Sequence, residues 1–174
     1  MRHADHVGLL RDGVTAGVWA DLGSGDGAFT LVLADLLGPT GRIYSIDRDE
    51  HALRDQQRAI ASRFPAGVVE YVEADFTGPL ELPRLDGIVM ANSLHFERDQ
   101  EGLLRRLVSH LAPAGRFLLV EYDTDRGNTW VPYPLPFAAW SALASRVGLV
   151  DTRLLGRVPS RYLGSIYSAL SVTR

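Results

Sequence analysis

The chain has 174 residues, 46% of them hydrophobic, and a formal charge of −3 at neutral pH. That size and composition suit one sizeable core, so a single domain over residues 1–174 is expected. The slight negative charge gives no bulk attraction for nucleic acid, and the absence of cysteine excludes disulfides, thiolate metal sites and any cysteine nucleophile. All 18 basic residues are Arg, a usage that reflects genome composition more than function. No apolar run reaches the ~20 residues that span a bilayer. Met1-Arg-His-Ala-Asp-His6 lacks the apolar segment of a signal peptide, so a cytoplasmic protein without membrane association is expected.

In chain order, a short helix is expected near His6–Arg11. Val18-Trp-Ala-Asp-Leu22 then reads as a strand over 17–22. The strand breaks into three alternate glycines, Gly23, Gly25 and Gly27. The apolar spacing Phe29, Leu31, Val32, Leu33, Leu36, Leu37 follows and predicts a helix over 28–37. Strand, glycine turn and helix form the geometry in which bare backbone approaches a nucleotide-like ligand. Strands near 42–47, 68–73, 86–91 and 116–122 alternate with helices near 49–62 and 98–111, which implies a parallel sheet between helical layers. The segment Asp123–Pro136 is irregular: three prolines impose an extended path, and Trp130 and Tyr133 interrupt its polarity. A helix over 138–147 follows, with Pro136 near its first turn and Gly148 as its stop, and two strands, 151–158 and 165–173, end the chain. Trp19 and Trp140 are expected in the core.

The glycines alone do not identify the ligand. Gly23-x-Gly25-x-x-Ala28 also fits a dinucleotide fingerprint, so an NAD(P)-dependent oxidoreductase stays open beside a protein that binds S-adenosylmethionine. Asp21 stands two residues before the first glycine and Asp26 inside the loop, where a dinucleotide would set its pyrophosphate on backbone N–H groups. Carboxylates there repel phosphate and attract a sulfonium or ammonium. The absence of lysine also removes any Tyr-x-x-x-Lys pair.

With those residues in view, Ala20-Asp-Leu-Gly-Ser-Gly-Asp-Gly-Ala-Phe-Thr30 resembles the first motif of the class I S-adenosylmethionine-dependent methyltransferases. Gly41–Asp47, Tyr71–Phe76, Leu85–Asn92 and Leu103–Val120 are similar, in order, to the motifs that follow it. The resemblance implies a three-layer Rossmann-like α/β sandwich, with a mostly parallel seven-stranded sheet closed by an antiparallel hairpin of the last two strands. It also implies a donor site made by Asp21, Gly23, Ser24, Gly25, Gly27, Asp47, Arg48, Asp75, Phe76 and Asn92. Asp47 would accept the ribose hydroxyls, Asp75 would meet the adenine amine, and Phe76 would pack beside the ring. No metal is expected.

Methyl transfer from a sulfonium is an in-line displacement in which the protein mainly aligns donor and acceptor and excludes water. In this fold the acceptor approaches the carboxyl ends of strands four and five, which makes Asn92, Ser93, His95, Phe96, Glu121, Tyr122 and Asp123 candidates. His95 is the expected base if one is used, histidine being the side chain that exchanges protons near neutrality; lining the pocket is its alternative role. Ala91-Asn-Ser-Leu-His-Phe96 lacks the two prolines typical of enzymes that methylate adenine or glutamine nitrogens, and without cysteine the cytosine-C5 reaction is excluded. The expected acceptor is a small molecule, and a homodimer is allowed. Trp130–Pro136 is expected either to close the pocket or to plug the sheet edge. A noncatalytic module of the same fold is the alternative from another functional class.

Overall fold

The computed structural model describes residues 2–64 and 67–174. The apolar runs at Val18–Leu22 (β1), Arg42–Asp47 (β2), Val69–Glu73 (β3), Leu85–Ala91 (β4) and Leu111–Tyr122 (β5) pair as parallel strands. Val150–Pro159 (β6) and Ser165–Val172 (β7) form the antiparallel hairpin. The seven strands lie in the order β3-β2-β1-β4-β5-β7-β6, so the chain reverses its direction of travel across the sheet at the β1/β4 boundary. Such a switch point opens a crevice at the carboxyl ends of the strands.

Among the described residues five α-helices cover the sheet: α1 (His3–Leu10), α2 (Ala28–Leu37), α3 (Glu50–Ala61), α4 (Gln100–Val108) and α5 (Phe137–Arg146). Their starts follow local chemistry. Gly27, left-handed at φ 81°, caps α2, and Asp49 and Asp99 cap α3 and α4 by accepting backbone N–H groups of the first turn. One apolar layer joins Trp19, Val89 and Leu118 to Leu9, Phe29 and Val32 of α1 and α2. The other joins Ala20, Ile88 and Phe117 to Leu103, Leu107 and Trp140 of α4 and α5. Trp19 and Trp140 are both fully buried, as their setting in the sequence implied.

One boundary differs from expectation. The apolar spacing Leu103, Leu107, Leu111 extends the α4 pattern to residue 111, but α4 stops at Val108 and Leu111 pairs with Leu85 instead. Leu111 is buried as a strand residue would be, so helical periodicity could not separate the two states. The chain then turns at Ala114, which adopts φ 58°, and Arg116 resumes pairing beside Gly87.

The hairpin fixes one further piece of geometry. Because β7 runs antiparallel to β5, with Tyr122 opposite Ile166, the β6–β7 turn is carried to the same edge of the sheet as the carboxyl ends of β1, β2 and β4.

Trp19 lies over Gly87 on the neighbouring strand, where an added Cβ would stand 2.3 Å from the indole ring. Gly87→Ala should therefore overpack the core and cost about 1–3 kcal/mol, read as a lowered urea midpoint with an unchanged slope. An unshifted midpoint would mean that the indole moves aside freely.

Candidate active site

A cleft of about 1360 Å³ opens at the carboxyl edge of the sheet. Its floor is the loop that leaves β1. Gly23 (φ 74°) and Gly25 (φ 54°) take left-handed backbone that other residues rarely adopt. Gly23 is also required by space, since a Cβ there would fall 2.7 Å from the Ser93 side chain and 3.0 Å from the Phe76 ring. The amides of Gly23 and Ser24 both donate to the Ile46 carbonyl, at 2.8 and 3.0 Å, which ties the loop to the end of β2.

Asp47 closes that tie. Its Oδ2 accepts the Gly25 amide at 2.8 Å and its Oδ1 accepts the Asp49 amide at 2.9 Å, leaving further lone pairs on each oxygen toward the cleft that Asp47 lines. Arg48, Asp75 and Phe76 line the same half. Asp75 accepts both the backbone amide and the hydroxyl of Thr77, and these bonds hold its carboxyl below the usual range. Asn92, at φ 54°, also lines the cleft, and its buried Oδ1 has no hydrogen-bond partner among the described residues. A buried acceptor in that state is one that a bound group would satisfy. With Asp26 and Asp49 added, this half of the cleft presents several carboxylates against the guanidinium of Arg48.

Two residues expected at the donor lie elsewhere. Gly27 is absent from the lining and instead lets α2 start against α3, where a Cβ would meet Gln56 at 2.6 Å. Asp21 is buried beneath the loop and does not line the cleft. Thr30 Oγ1 donates to its Oδ2 at 2.7 Å, and Thr30, Ser45, Ser24 and Gln56 continue a buried polar network up to the Gly25 carbonyl. Burial pushes the Asp21 carboxyl up to about 7, against the opposing Thr30 bond and with the nearby charges of Asp47 and Asp26 adding to the effect.

The other half of the cleft is aromatic. Phe96, Tyr122, Tyr162 and Ile166 line it together with Arg161. Behind Phe96 and Tyr122 sits His95, only 2% exposed, with its ring centroid 4.3 Å from that of Phe96 and 5.8 Å from that of Tyr122. Its Nδ1 meets the fully buried carboxylate of Glu121, at 3.0 Å to Oε1 and 2.9 Å to Oε2. The same carboxylate accepts the backbone amides of His95 and Tyr122, so its position is set from three sides.

The segment 123–136 contributes nothing to the cleft lining, and Trp130 is 81% exposed outside it. Of the two roles left open for it, closing the pocket or plugging the sheet edge, this placement fits the second. The Tyr133 amide donates to the His95 carbonyl, Gln100 donates to the Tyr133 carbonyl, and the Tyr167 hydroxyl donates to the Leu135 carbonyl. These bonds hold the segment behind the His95 turn. The mouth is bordered instead by Arg2, Asp5 and His6 of the N-terminal region and by Pro159–Tyr162 of the β6–β7 turn, neither of which sequence reasoning had placed there.

Among the described residues, no group of three or more His, Asp or Glu side chains is placed to hold a metal ion, and no helix is long and apolar enough to cross a membrane.

A mostly parallel sheet that ends in an antiparallel hairpin, with a left-handed glycine loop and a strand-end carboxylate at its switch point, defines a class I methyltransferase-type site. The chain belongs to the methyltransferase domain family, whose profile matches residues 17–147. It is 29% identical over 104 residues to the ubiquinone/menaquinone biosynthesis C-methyltransferase UbiE of Ectopseudomonas mendocina, and 31% identical over 104 residues to that of Pseudomonas fluorescens. Each alignment takes in 59% of this chain, and the chain spans about two fifths (41%) of the length of those relatives. Among solved structures, the YcgJ protein of Bacillus subtilis superposes with a TM-score of 0.80 at 13% identity, covering 99% of both chains. The CurJ carbon methyltransferase superposes with a TM-score of 0.75 at 21% identity, over 91% of this chain and 49% of that one. The class of enzyme in which this family falls uses S-adenosylmethionine as its donor, which sets aside the dinucleotide enzyme that the glycines alone left open.

Asp21 makes the fold pH-sensitive in a stated direction. Its folded pKa, about 7, lies above the unfolded value of 3.8, so the folded chain holds the proton more tightly. The contribution is full below about pH 4 and is lost as pH rises toward about 7, a change on the order of 4 kcal/mol. Asp21→Asn keeps an acceptor for Thr30 without the charge, so its stability should fall less than that of the wild type across that window in urea titrations. Parallel pH profiles for the two proteins would remove Asp21 as the source.

Proposed function

We propose that the chain acts as an S-adenosylmethionine-dependent methyltransferase on a small-molecule acceptor, with carbon as the receiving atom and His95 as the general base. The observation that carries this reading is the buried His95–Glu121 pair, which does not itself line the cleft but packs directly behind Phe96 and Tyr122 of its wall. A histidine held at Nδ1 by a carboxylate keeps its proton on that nitrogen and has Nε2 left for substrate. Glu121 then orients the ring and stabilises the imidazolium that forms when Nε2 takes a proton. Phe96 and Tyr122 shield the pair from water, and Phe96, 61% exposed, would have to move for an acceptor to reach His95.

On the donor half, Asp47 would accept the ribose hydroxyls with its remaining lone pairs, and Asp75 and Phe76 would hold the adenine. The unpartnered Oδ1 of Asn92 and the surrounding carboxylates suit a cationic ligand. S-adenosylmethionine, when bound, supplies a methyl group on a sulfonium that departs as a neutral thioether once an electron pair has formed the new bond. His95 Nε2 provides that pair by removing the proton of an acidic C–H bond, whose electrons attack the methyl carbon. A neutral amine would need no such base to attack, so the pair favours carbon or oxygen acceptors. The printed names of the UbiE relatives and of the CurJ neighbour, all carbon methyltransferases, support carbon.

Two measurements test the reading. Calorimetry should give binding of S-adenosylhomocysteine and none of NAD or NADP, and Asp47→Ala should weaken that binding by roughly ten- to a hundred-fold, or about 1.5–3 kcal/mol. Tighter binding of NAD would overturn the donor assignment. With labelled donor and a panel of β-dicarbonyl and phenolic acceptors, His95→Ala and Glu121→Gln should lower kcat by ~10²–10⁴-fold while leaving the S-adenosylhomocysteine affinity unchanged. Full activity in a folded His95→Ala protein would remove the base.

A further inference from the structure

The aromatic half of the cleft contains a cation with no partner. Arg161 lines the cleft and forms no ion pair or side-chain hydrogen bond among the described residues, whereas Arg2 pairs locally with Asp5 at the start of α1 and Arg157, nearby in sequence, pairs with Asp123. Arg48, the remaining cleft arginine, lies in the donor half, where its charge acts on Asp75. Glu97 also lines the cleft, but its carboxylate is turned to the Asp99 amide at 2.7 Å.

Arg161 is also presented by a built turn. The Ser160 amide donates to the Gly164 carbonyl at 2.9 Å, and Ser160 Oγ accepts the Tyr162 amide at 3.1 Å and the Leu163 amide at 3.4 Å. Gly164 completes the reversal at φ 57°. The turn therefore fixes where residues 161 and 162 stand. Tyr162 is 82% exposed although it lines a cleft, as Phe96 does, so two large aromatic faces border the mouth uncovered. Phe96 and Tyr122 both pack on His95, and the Tyr122 phenol is pushed up by burial, then by the charge of Glu121 and by Tyr162.

Resting on the methyltransferase reading above, we propose that the acceptor is a small planar carboxylate. Its conjugated face packs on Phe96 and Tyr162, its carboxylate is held by the Arg161 guanidinium, and its reactive carbon is thereby turned toward His95. A guanidinium and a carboxylate are matched planar forks, and aromatic walls favour a flat partner. A dianionic phosphate fits less well, because a single guanidinium leaves its second charge uncompensated. Arg161 is thus a specificity-determining residue, set apart in sequence from every motif of the donor site.

The test uses salicylate and its near-isosteric neutral counterpart, salicylamide, titrated calorimetrically into the full chain saturated with S-adenosylhomocysteine. Salicylate should bind at least about tenfold more tightly, and added salt should erode that preference. Arg161→Gln should level the two ligands, whereas Tyr162→Ala should weaken both by a similar factor and preserve their ratio. Arg153→Gln, outside the cleft, should change neither. His95→Ala should retain the salicylate preference, so loss of methyl transfer there separates the base from the carboxylate subsite. Equal affinities in the wild type, a preference that survives Arg161→Gln, or binding of neither probe would overturn the proposal while leaving the donor site intact. Failure of S-adenosylhomocysteine itself to bind would instead overturn the methyltransferase reading and this inference with it.

Discussion

The cleft depends on a single backbone constraint at the end of β1. Within five residues the chain takes three left-handed steps, at Gly23, Gly25 and Gly27, and each meets a different neighbour. Gly23 lets Ser93 and Phe76 close over the loop, Gly25 gives its amide to Asp47, and Gly27 admits Gln56 beneath the start of α2. One turn therefore joins the ends of β2 and β4 and the starts of α2 and α3 into a single rigid floor. A side chain at any of the three would add backbone strain, and at Gly23 or Gly27 a collision as well.

That floor rests on polar groups where apolar packing would be expected. Asp21, Thr30, Ser45, Ser24 and Gln56 are all buried and linked by hydrogen bonds. A satisfied network of this kind is directional, so it specifies the loop's shape in a way that a purely apolar core could not. Its cost is concentrated at Asp21, which has no cationic partner among the described residues. The acid that identified the loop in the sequence thus sits below it, bonded to Thr30 and off the cleft lining.

Most of the fold was legible because the central strands β1, β2 and β4 are short apolar runs bounded by turn residues and α2, α3 and α4 start at recognisable caps. The donor half was legible for a related reason: its residues sit at strand ends inside contiguous motifs, as Asp47, Asp75 and Phe76 do. The aromatic half was legible only in part: Phe96, Glu121 and Tyr122 stood among the candidates at the ends of strands four and five, but nothing local reveals that Glu121 is fully buried against His95, a contact made across 26 residues of sequence. Trp130 and Tyr133 drew attention by being aromatic among prolines, while the residues at the mouth, Arg161 and Tyr162, looked like an ordinary connector. The pattern held one usable signal. A last strand antiparallel to the fifth must begin where the fifth ends, so the turn before it has to stand at the cleft.

The two halves of the cleft are consequently built by different means. The donor half is made by crossover turns of the parallel strands, whose backbone is committed to the sheet and whose carboxylates are fixed by amides. The acceptor half is made where the topology turns antiparallel, and there the mouth is carried by a hairpin tip and by the chain near α1, neither of which the sheet's hydrogen bonds require. Residues 161–163 can change identity without disturbing the glycine floor, because the turn is closed by its own Ser160 and Gly164 bonds. The His95–Glu121 pair lies between the two regimes, with Glu121 on the last parallel strand beside the first antiparallel one. A base anchored in the sheet and an acceptor wall carried by a hairpin allow the chemistry to stay fixed while the acceptor that reaches it is selected at the tip.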